Sequence, residues 1–298
     1  MTDNAGTDER PERTGAGQTR SVMGAVPPKA TKPAKDPTAS MSFLDHLEEL
    51  RWRLFKGLGG LALGIVAAFW FREFLIDQVI LGPTKADFFM YRLTGIEAVE
   101  LSLISRKLPG QFFTYWGTLI IVGFVIGSPL VFYQLWAFVA PALEQAEKLK
   151  SVLNAGFITF FFLLGVAFGY MILVPFAVQF FTQFIIADVI SNEFDVNEYF
   201  TSVAMWTVAC GIIFQVPVVS YFLSKVGILT PQFLRSYWRQ ATVVILVLAA
   251  FITPPDPISQ ILIAVPLALL YQLAIATSRM AVRANEQDEL KRSEAAAP

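Results

Sequence analysis

The sequence predicts an all-α membrane protein: six transmembrane helices, kinked into a bowl or glove, with both termini cytoplasmic. Three observations lead there. Of 298 residues, 55% are hydrophobic and only 16% charged, where a soluble domain carries roughly 25% charged residues. Apolar runs of helix length recur between short polar segments. Lys and Arg gather in alternate connecting segments, as positive-inside topology requires.

The elements follow in order. Residues 1–40 are rich in Pro, Gly, Thr and Ala with charges of both signs. They have no face to bury, so a disordered cytoplasmic tail is expected. No apolar stretch near Met1 resembles a cleaved signal peptide. The membrane domain is expected over 41–278. It opens with Phe43, Leu47, Leu50 and Leu54 at helical spacing, Ser42 as N-cap, and runs on through an apolar stretch to Phe71. Eighteen apolar residues reach roughly 27 Å, close to a ~30 Å hydrocarbon core. In the following segment, Thr94 and Glu97 stand at capping-box spacing ahead of Ile96, Val99 and Leu103. That pattern predicts a short amphipathic helix outside the bilayer.

The second span is expected over about 112–139 and the third over about 152–186, long enough to tilt or project. The fourth covers about 200–223, followed by a loop over 224–240. The fifth has only about 14 residues between Arg239 and Pro254, roughly 20 Å of helix. Thr253-Pro254-Pro255-Asp256-Pro257 then forces a tight turn, and the sixth span covers about 258–277. A charged cytoplasmic tail, 279–298, is expected to fray. With the N-terminus inside, inner segments hold eighteen of the 23 Lys and Arg. Pro129, Pro175, Pro217 and Pro266 lie inside spans, and each removes a backbone donor. The short fifth span predicts either local bilayer thinning or a partly re-entrant hairpin.

Composition also excludes function classes. A net charge of −1 gives no field that attracts nucleic acid. One Cys and one His cannot build a multi-Cys or His-pair metal site. No nucleotide-binding loop, nucleophile elbow or zinc-peptidase pattern is present. No span carries an acidic or basic residue near its centre; Gln134, Gln179, Gln215, Gln260, Gln272 and hydroxyls are the polar groups there. An enzyme is therefore not expected, and no cofactor. A small-solute or ion secondary transporter, the alternative, calls for an internal repeat and a mid-span charge. Neither is seen.

Ionisable groups gather instead at the cytoplasmic rim. Asp45, Glu48 and Glu49 precede the first span, and Glu144 and Glu147 stand between the second and third. Locally, Glu49 and Arg53 form an i,i+4 pair on a solvated face. His46 is expected to make a structural hydrogen bond. Cys210 is expected to pack as a small residue, and the six tryptophans to act as interfacial anchors.

The segment His46-Leu47-Glu48-Glu49-Leu50-Arg51 resembles the amino-terminal signature of the TatC family, membrane receptors of twin-arginine protein translocation. Four further segments are similar to that family in the same order. They are Phe112-Phe113-Thr114; Ser128-Pro129 through Tyr133-Gln134-Leu135-Trp136-Ala137-Phe138-Val139-Ala140-Pro141; Phe214-Gln215-Val216-Pro217; and Thr253-Pro254-Pro255-Asp256-Pro257-Ile258-Ser259-Gln260. The resemblance implies binding of twin-arginine signal peptides of folded cargo at the cytoplasmic face of the bacterial inner membrane. It also implies recruitment of TatA- and TatB-type single-span partners, transport driven by the proton motive force, and a homo-oligomer within a hetero-complex.

On that resemblance the signal-binding positions fall on Glu49 and Glu147, with Phe138, Arg51 and Leu50 beside them. Partner-helix contacts fall on Met205, Gln215 and Pro217. The outer turn falls on Pro254, Pro255, Asp256 and Gln260. Two departures stand out: Gln215 replaces a Glu found in many members, and Glu144 an aromatic. Arginine's planar fork suits bidentate capture by carboxylates in a way lysine's ammonium does not. Leu50, Leu54 and Phe138 are expected to offer an apolar wall to the signal's hydrophobic stretch.

Overall fold

The computed structural model describes residues 43–95, 100–143, 148–187, 189, 192–252 and 257–295. These belong to one compact unit spanning Ser42–Pro298. The expected tail 1–40, Ser42, and the Thr253–Asp256 part of the outer turn lie outside the described residues.

The first helix, α1 (Phe43–Trp70), runs straight through the predicted amphipathic entry and apolar run. It packs antiparallel on α4 (Gly110–Leu143), and the two backbones touch. A Cβ placed on Gly60 would meet Leu130 Cβ at 2.7 Å, one on Gly127 would meet Gly60 O at 2.7 Å, and one on Gly123 would meet Ile65 Cα at 2.6 Å. Small residues allow this approach, as they do between membrane helices generally.

Between α1 and α4 the chain forms a cap: α2 (Arg72–Phe74), a π-turn over Leu75–Ile80, a 3-10 turn over Gly82–Thr84, and α3 (Phe89–Thr94). These turns expose backbone carbonyls, which three tyrosine hydroxyls satisfy. Tyr170 donates to Val79 O at 2.5 Å, Tyr199 to Ile80 O at 2.8 Å, and Tyr91 to Pro83 O at 2.5 Å. The amphipathic helix expected from Thr94 onward is corrected here. Thr94 ends α3 instead of opening a helix, its hydroxyl donating back to Met90 O at 2.6 Å. Gly95 then leaves in the left-handed region at φ 70°, where glycine carries no Cβ penalty. Leu103–Ile104 (β1) is extended and pairs in parallel with Phe194–Asp195 (β2). That pairing uses backbone donors a helix would have consumed. Residues 96–99 lie outside the described residues.

The third span is α5 (Lys148–Phe168), a π-turn over Gly169–Leu173 and α6 (Val174–Gln183), with Pro175 at the start of α6. The fourth is α7 (Val196–Ile213) and α8 (Val216–Lys225), broken at Phe214–Gln215 just before Pro217. Prolines 175 and 217 thus interrupt their spans, since each lacks the N–H that would continue the ladder. Pro129 and Pro266 stand inside continuous helices. The carbonyl that Pro129 leaves without a donor, Val125 O, accepts the buried Ser128 hydroxyl at 2.7 Å.

The loop expected over 224–240 contains a helix, α9 (Pro231–Ser236). Thr230 caps it, accepting the Phe233 N–H, and Pro231 occupies its first position, both ordinary helix-start signals. The fifth span, α10 (Trp238–Ile252), has 15 residues, or about 22 Å. The sixth, α11 (Pro257–Ala295), has 39. The tail expected to fray from Arg279 is helical to Ala295. Asn285 holds it near α8, its side-chain N–H donating to Lys225 O at 2.8 Å.

Five helices among the described residues are long and apolar enough to cross a membrane, with Trp238–Phe251 a shorter sixth. Among the described residues, the buried polar side chains are hydroxyls, apart from Asp195. Trp136 and Trp206 depart from the interfacial role expected of all six tryptophans. Trp136 is buried against Phe222 at 4.3 Å between ring centroids, and Trp206 packs against two core clusters. Trp136 lies among α4, α5 and α8 and Trp206 against α6, α10 and α11, so neighbouring helices rather than headgroups surround them.

Candidate functional site: a rim groove between the first and second spans

The antiparallel packing of α1 on α4 brings the start of α1 beside the end of α4. There a groove of about 180 Å³ opens, lined by Leu50, Arg53 and Leu54 of α1 and by Gln134, Leu135 and Phe138 of α4. The glycine crossing sets its width, because Gly57 brings a Cβ position within 3.9 Å of Gln134 Cβ. The apolar wall expected from Leu50, Leu54 and Phe138 is therefore assembled in one place.

Glu49 stands one residue from this groove and is half-buried. Its Oε1 accepts two hydrogen bonds from Arg53, from Nε at 3.3 Å and from Nη2 at 2.9 Å. Both fall on one oxygen, and Oε2 meets no donor among the described residues. Arg51 points elsewhere: it is exposed, with its guanidinium 5.8 Å from the Trp52 ring centroid. Glu147, the second expected carboxylate, and Glu144 lie outside the described residues, as do Pro254, Pro255 and Asp256 of the outer turn. Gln260, just past that turn, donates its side-chain N–H to Leu246 O at 3.1 Å and so ties α10 to α11.

The partner-helix positions separate. Met205 is 53% exposed on α7. Gln215 turns inward, donating to Ile158 O at 3.2 Å. Pro217 is fully buried and its carbonyl accepts the Thr277 hydroxyl at 2.9 Å. The expected partner surface therefore reduces to Met205 and the exposed part of Gln215. The reason is local: the Pro217 break turns that stretch onto α11.

Two polar features were not singled out from the sequence. The Gln134 side-chain oxygen is buried at the groove and meets no donor among the described residues; the sequence marked Gln134 only as one of several neutral polar groups within the spans and as part of the Ser128–Pro141 resemblance segment. At the opposite end, Asp195 accepts the Arg106 N–H at 3.0 Å and the Asn197 N–H at 2.8 Å, capping α7. The Arg106 backbone bond above all holds its carboxyl below the usual carboxylate range. Nearby, the Thr114 hydroxyl donates to Asn197 Oδ1. Outside the spans, burial pushes the Tyr91 phenol up to about 12, so it remains a donor at physiological pH.

The helical shell, the short hairpin and the charged rim define a multi-pass membrane protein whose interior is chemically quiet. Residues 45–266 match the family model for "Sec-independent protein translocase protein (TatC)". A TatC of Deinococcus radiodurans is 37% identical over 260 residues, covering 85% of this chain and 92% of its own. TatCy of Bacillus subtilis is 36% identical over 244 residues, 82% of this chain and 91% of its own. A solved structure described as a twin-arginine translocase receptor, TatC, superposes with a TM-score of 0.63 at 32% identity, covering 79% of this chain and 99% of that one. The chain belongs to the TatC family. It is accordingly a transport component of the bacterial inner membrane and not an enzyme.

Proposed function

We propose that this chain is the receptor subunit that takes up twin-arginine signal peptides, and that the α1–α4 groove is where it does so. The observation that carries the reading is the placing of a half-buried Glu49–Arg53 pair at an apolar groove. A fully exposed ion pair is worth about 0–1 kcal/mol. Shielded, charge-assisted hydrogen bonds reach about 1.5–3 kcal/mol. An incoming guanidinium takes the Oε2 of Glu49, or displaces Arg53, and Glu147 is the partner for the second arginine. The apolar stretch of the signal then lies along Leu50, Leu54 and Phe138. Met205 and Gln215 are the surface offered to TatA- and TatB-type helices, in a hetero-complex containing several copies of this chain. Both termini face the cytoplasm, on the distribution of Lys and Arg.

The test is photocrosslinking of the detergent-purified chain to a peptide carrying consecutive arginines, with its Lys-Lys variant for comparison. Glu49→Gln is expected to weaken capture about tenfold or more. Arg53→Gln, which removes the competing internal cation, is expected to leave capture equal or stronger. Equal losses in both variants, or equal capture of the Lys-Lys peptide, would refute the groove as the arginine site.

A further inference from the structure

We infer that the cleft between α9 and the end of α11 binds the phosphate headgroup of an anionic membrane lipid. The cleft encloses about 260 Å³ and is lined by Gln232 and Arg235 of α9 and by Arg279, Val282, Arg283 and Glu286 of α11. Arg279 and Arg283 are one helical turn apart, so both face Arg235. None of the three takes part in an ion pair among the described residues. Glu286 shares the cleft, which leaves three guanidinium forks against one carboxylate. Planar guanidinium groups converging from two elements match the geometry of a phosphate's oxygens.

The cleft is held open by bonds outside it. Tyr271 donates its hydroxyl to Leu234 O at 2.6 Å, fixing α9 on α11. The buried Ser224–Ser278 bond at 2.6 Å fixes α8 on α11 just before the arginines begin. A free site needs such support, because three like charges would otherwise splay apart.

Its surroundings favour a lipid as the occupant. Phe233, Tyr237 and Trp238, on and beside α9, are 51%, 47% and 52% exposed, and Arg239 lies 5.7 Å from the Trp238 ring centroid. Exposed aromatics flanked by cations mark the headgroup level of a bilayer. Successive spans alternate in direction, so this cleft lies at the same end as Glu49. Basic pockets between helices on that side suit anionic headgroups. A bound lipid would brace the α9–α11 side of the rim, away from the signal groove.

The test uses the full chain in detergent, titrated with dioleoyl phosphatidylglycerol and separately with dioleoyl phosphatidylcholine, with bound lipid read by native mass spectrometry. Phosphatidylglycerol is expected to be preferred. Changing Arg235, Arg279 and Arg283 to Gln is expected to reduce its retention about fivefold per arginine. Arg92→Gln, an exposed arginine of α3, is expected to change nothing. Glu286→Gln is expected to raise retention, an effect misfolding cannot produce. Unchanged preference in the triple variant, equal retention of phosphatidylcholine, or no gain in Glu286→Gln would overturn the proposal. Complete displacement by excess inorganic phosphate would overturn the assignment to lipid.

Discussion

Replacing Gly64 by Ala tests how the crossing of α1 and α4 builds the groove. A Cβ at Gly64 would lie 2.7 Å from Gly127 N and 2.9 Å from Gly127 Cα, and closer still to the Gly123 carbonyl oxygen. All three are backbone atoms inside a helix, so no side chain can turn aside. Relieving the clash with the Gly127 α-carbon alone, back to the ~3.5 Å carbon–carbon optimum, needs about 0.6 Å of separation. A gap of that size forfeits about a quarter to a half of the dispersion attraction between each facing pair of atoms along the seam. Overpacking of this kind costs about 1–3 kcal/mol. Against it stands the helix-propensity gain of Gly→Ala, about 0.5–1 kcal/mol. The net expectation is a loss of about 0–2.5 kcal/mol, toward the upper end because the contact with the Gly123 carbonyl oxygen is tighter still. Gly59→Ala supplies the opposite sign, because nothing lies within 4 Å of its added Cβ, so only the propensity gain remains. Thermal unfolding in detergent should therefore place Gly64→Ala below the parent chain and Gly59→Ala at or above it. Twin-arginine peptide capture should fall only in the former, since the seam sets the distance between Leu54 and Phe138. If Gly64→Ala melts no lower than the parent, or Gly59→Ala falls as far, the close-packed seam does not govern the groove.

Three further outcomes follow from the same structure. Ser224 and Ser278 bond each other while buried at 1% and 0% exposure, so either single Ala variant strands a hydroxyl and should lose about 1–3 kcal/mol. The double variant should lose less than the sum, and strict additivity in a thermal-shift cycle would contradict the pairing. Asp195 has a folded pKa lowered from 3.8, so its cap stabilises the fold above that pH and is lost as pH falls through the lower folded value. The melting-temperature deficit of Asp195→Ala should be full at neutral pH and shrink below pH 3.8; a deficit that grows on acidification would reverse the sign. Inserting four Leu into α10 adds about 6 Å to its ~22 Å and should reduce transport of a twin-arginine cargo in reconstituted vesicles. Undiminished transport would remove bilayer thinning as a role for the short hairpin.

Which parts of the molecule were legible in the sequence follows from the range of the interactions involved. Spans are written in consecutive residues, because the bilayer requires continuous apolar helix, and the short α10 was readable for that reason. The Glu49–Arg53 pair was readable because its partners are four apart. The outer cap was not. Its carbonyls at Val79 and Ile80 are satisfied by hydroxyls 91 and 119 residues away, and β1 finds β2 across a similar separation. Thr94 illustrates the resulting error: its spacing to Glu97 has N-cap form, but the preceding Phe89–Tyr91 stretch, anchored by the Tyr91–Pro83 bond, had already begun a helix that Thr94 closes. The helix α9 was missed although Thr230-Pro231 is a helix start, because six residues are too few to show a periodic apolar pattern. The inward turn of Gln215 required knowing that the α7–α8 break lies against Ile158 of α5.

The placing of polarity also constrains how such a receptor can select. Several interior hydroxyls are spent on backbone carbonyls: Ser128 on Val125, Thr159 on Ala155, Thr277 on Pro217. They have little donor capacity left for a passing ligand. On the proposed reading, recognition charge sits at the rim, where Glu49 and Arg53 keep 22% and 28% of their side-chain surface. Full burial of Glu49 would impose a desolvation penalty of several kcal/mol; full exposure would leave a pair worth about 0–1 kcal/mol. Internal pairing makes the intermediate position tenable, and it has a consequence for affinity. If an incoming guanidinium replaces Arg53 on the same carboxylate, one charge-assisted bond is exchanged for another and the net gain is small; the tenfold loss expected of Glu49→Gln belongs to the other route, in which it takes Oε2 while Arg53 stays on Oε1. The surplus must then come from the apolar stretch that enters beside Leu50, Leu54 and Phe138, at about 1.5–3 kcal/mol for each large side chain buried. Arginines without that stretch would exchange without holding, and an apolar stretch without arginines would find the mouth of the groove already closed by the Glu49–Arg53 bridge. On the proposed reading, the bridge is the element that makes selection depend on both features at once.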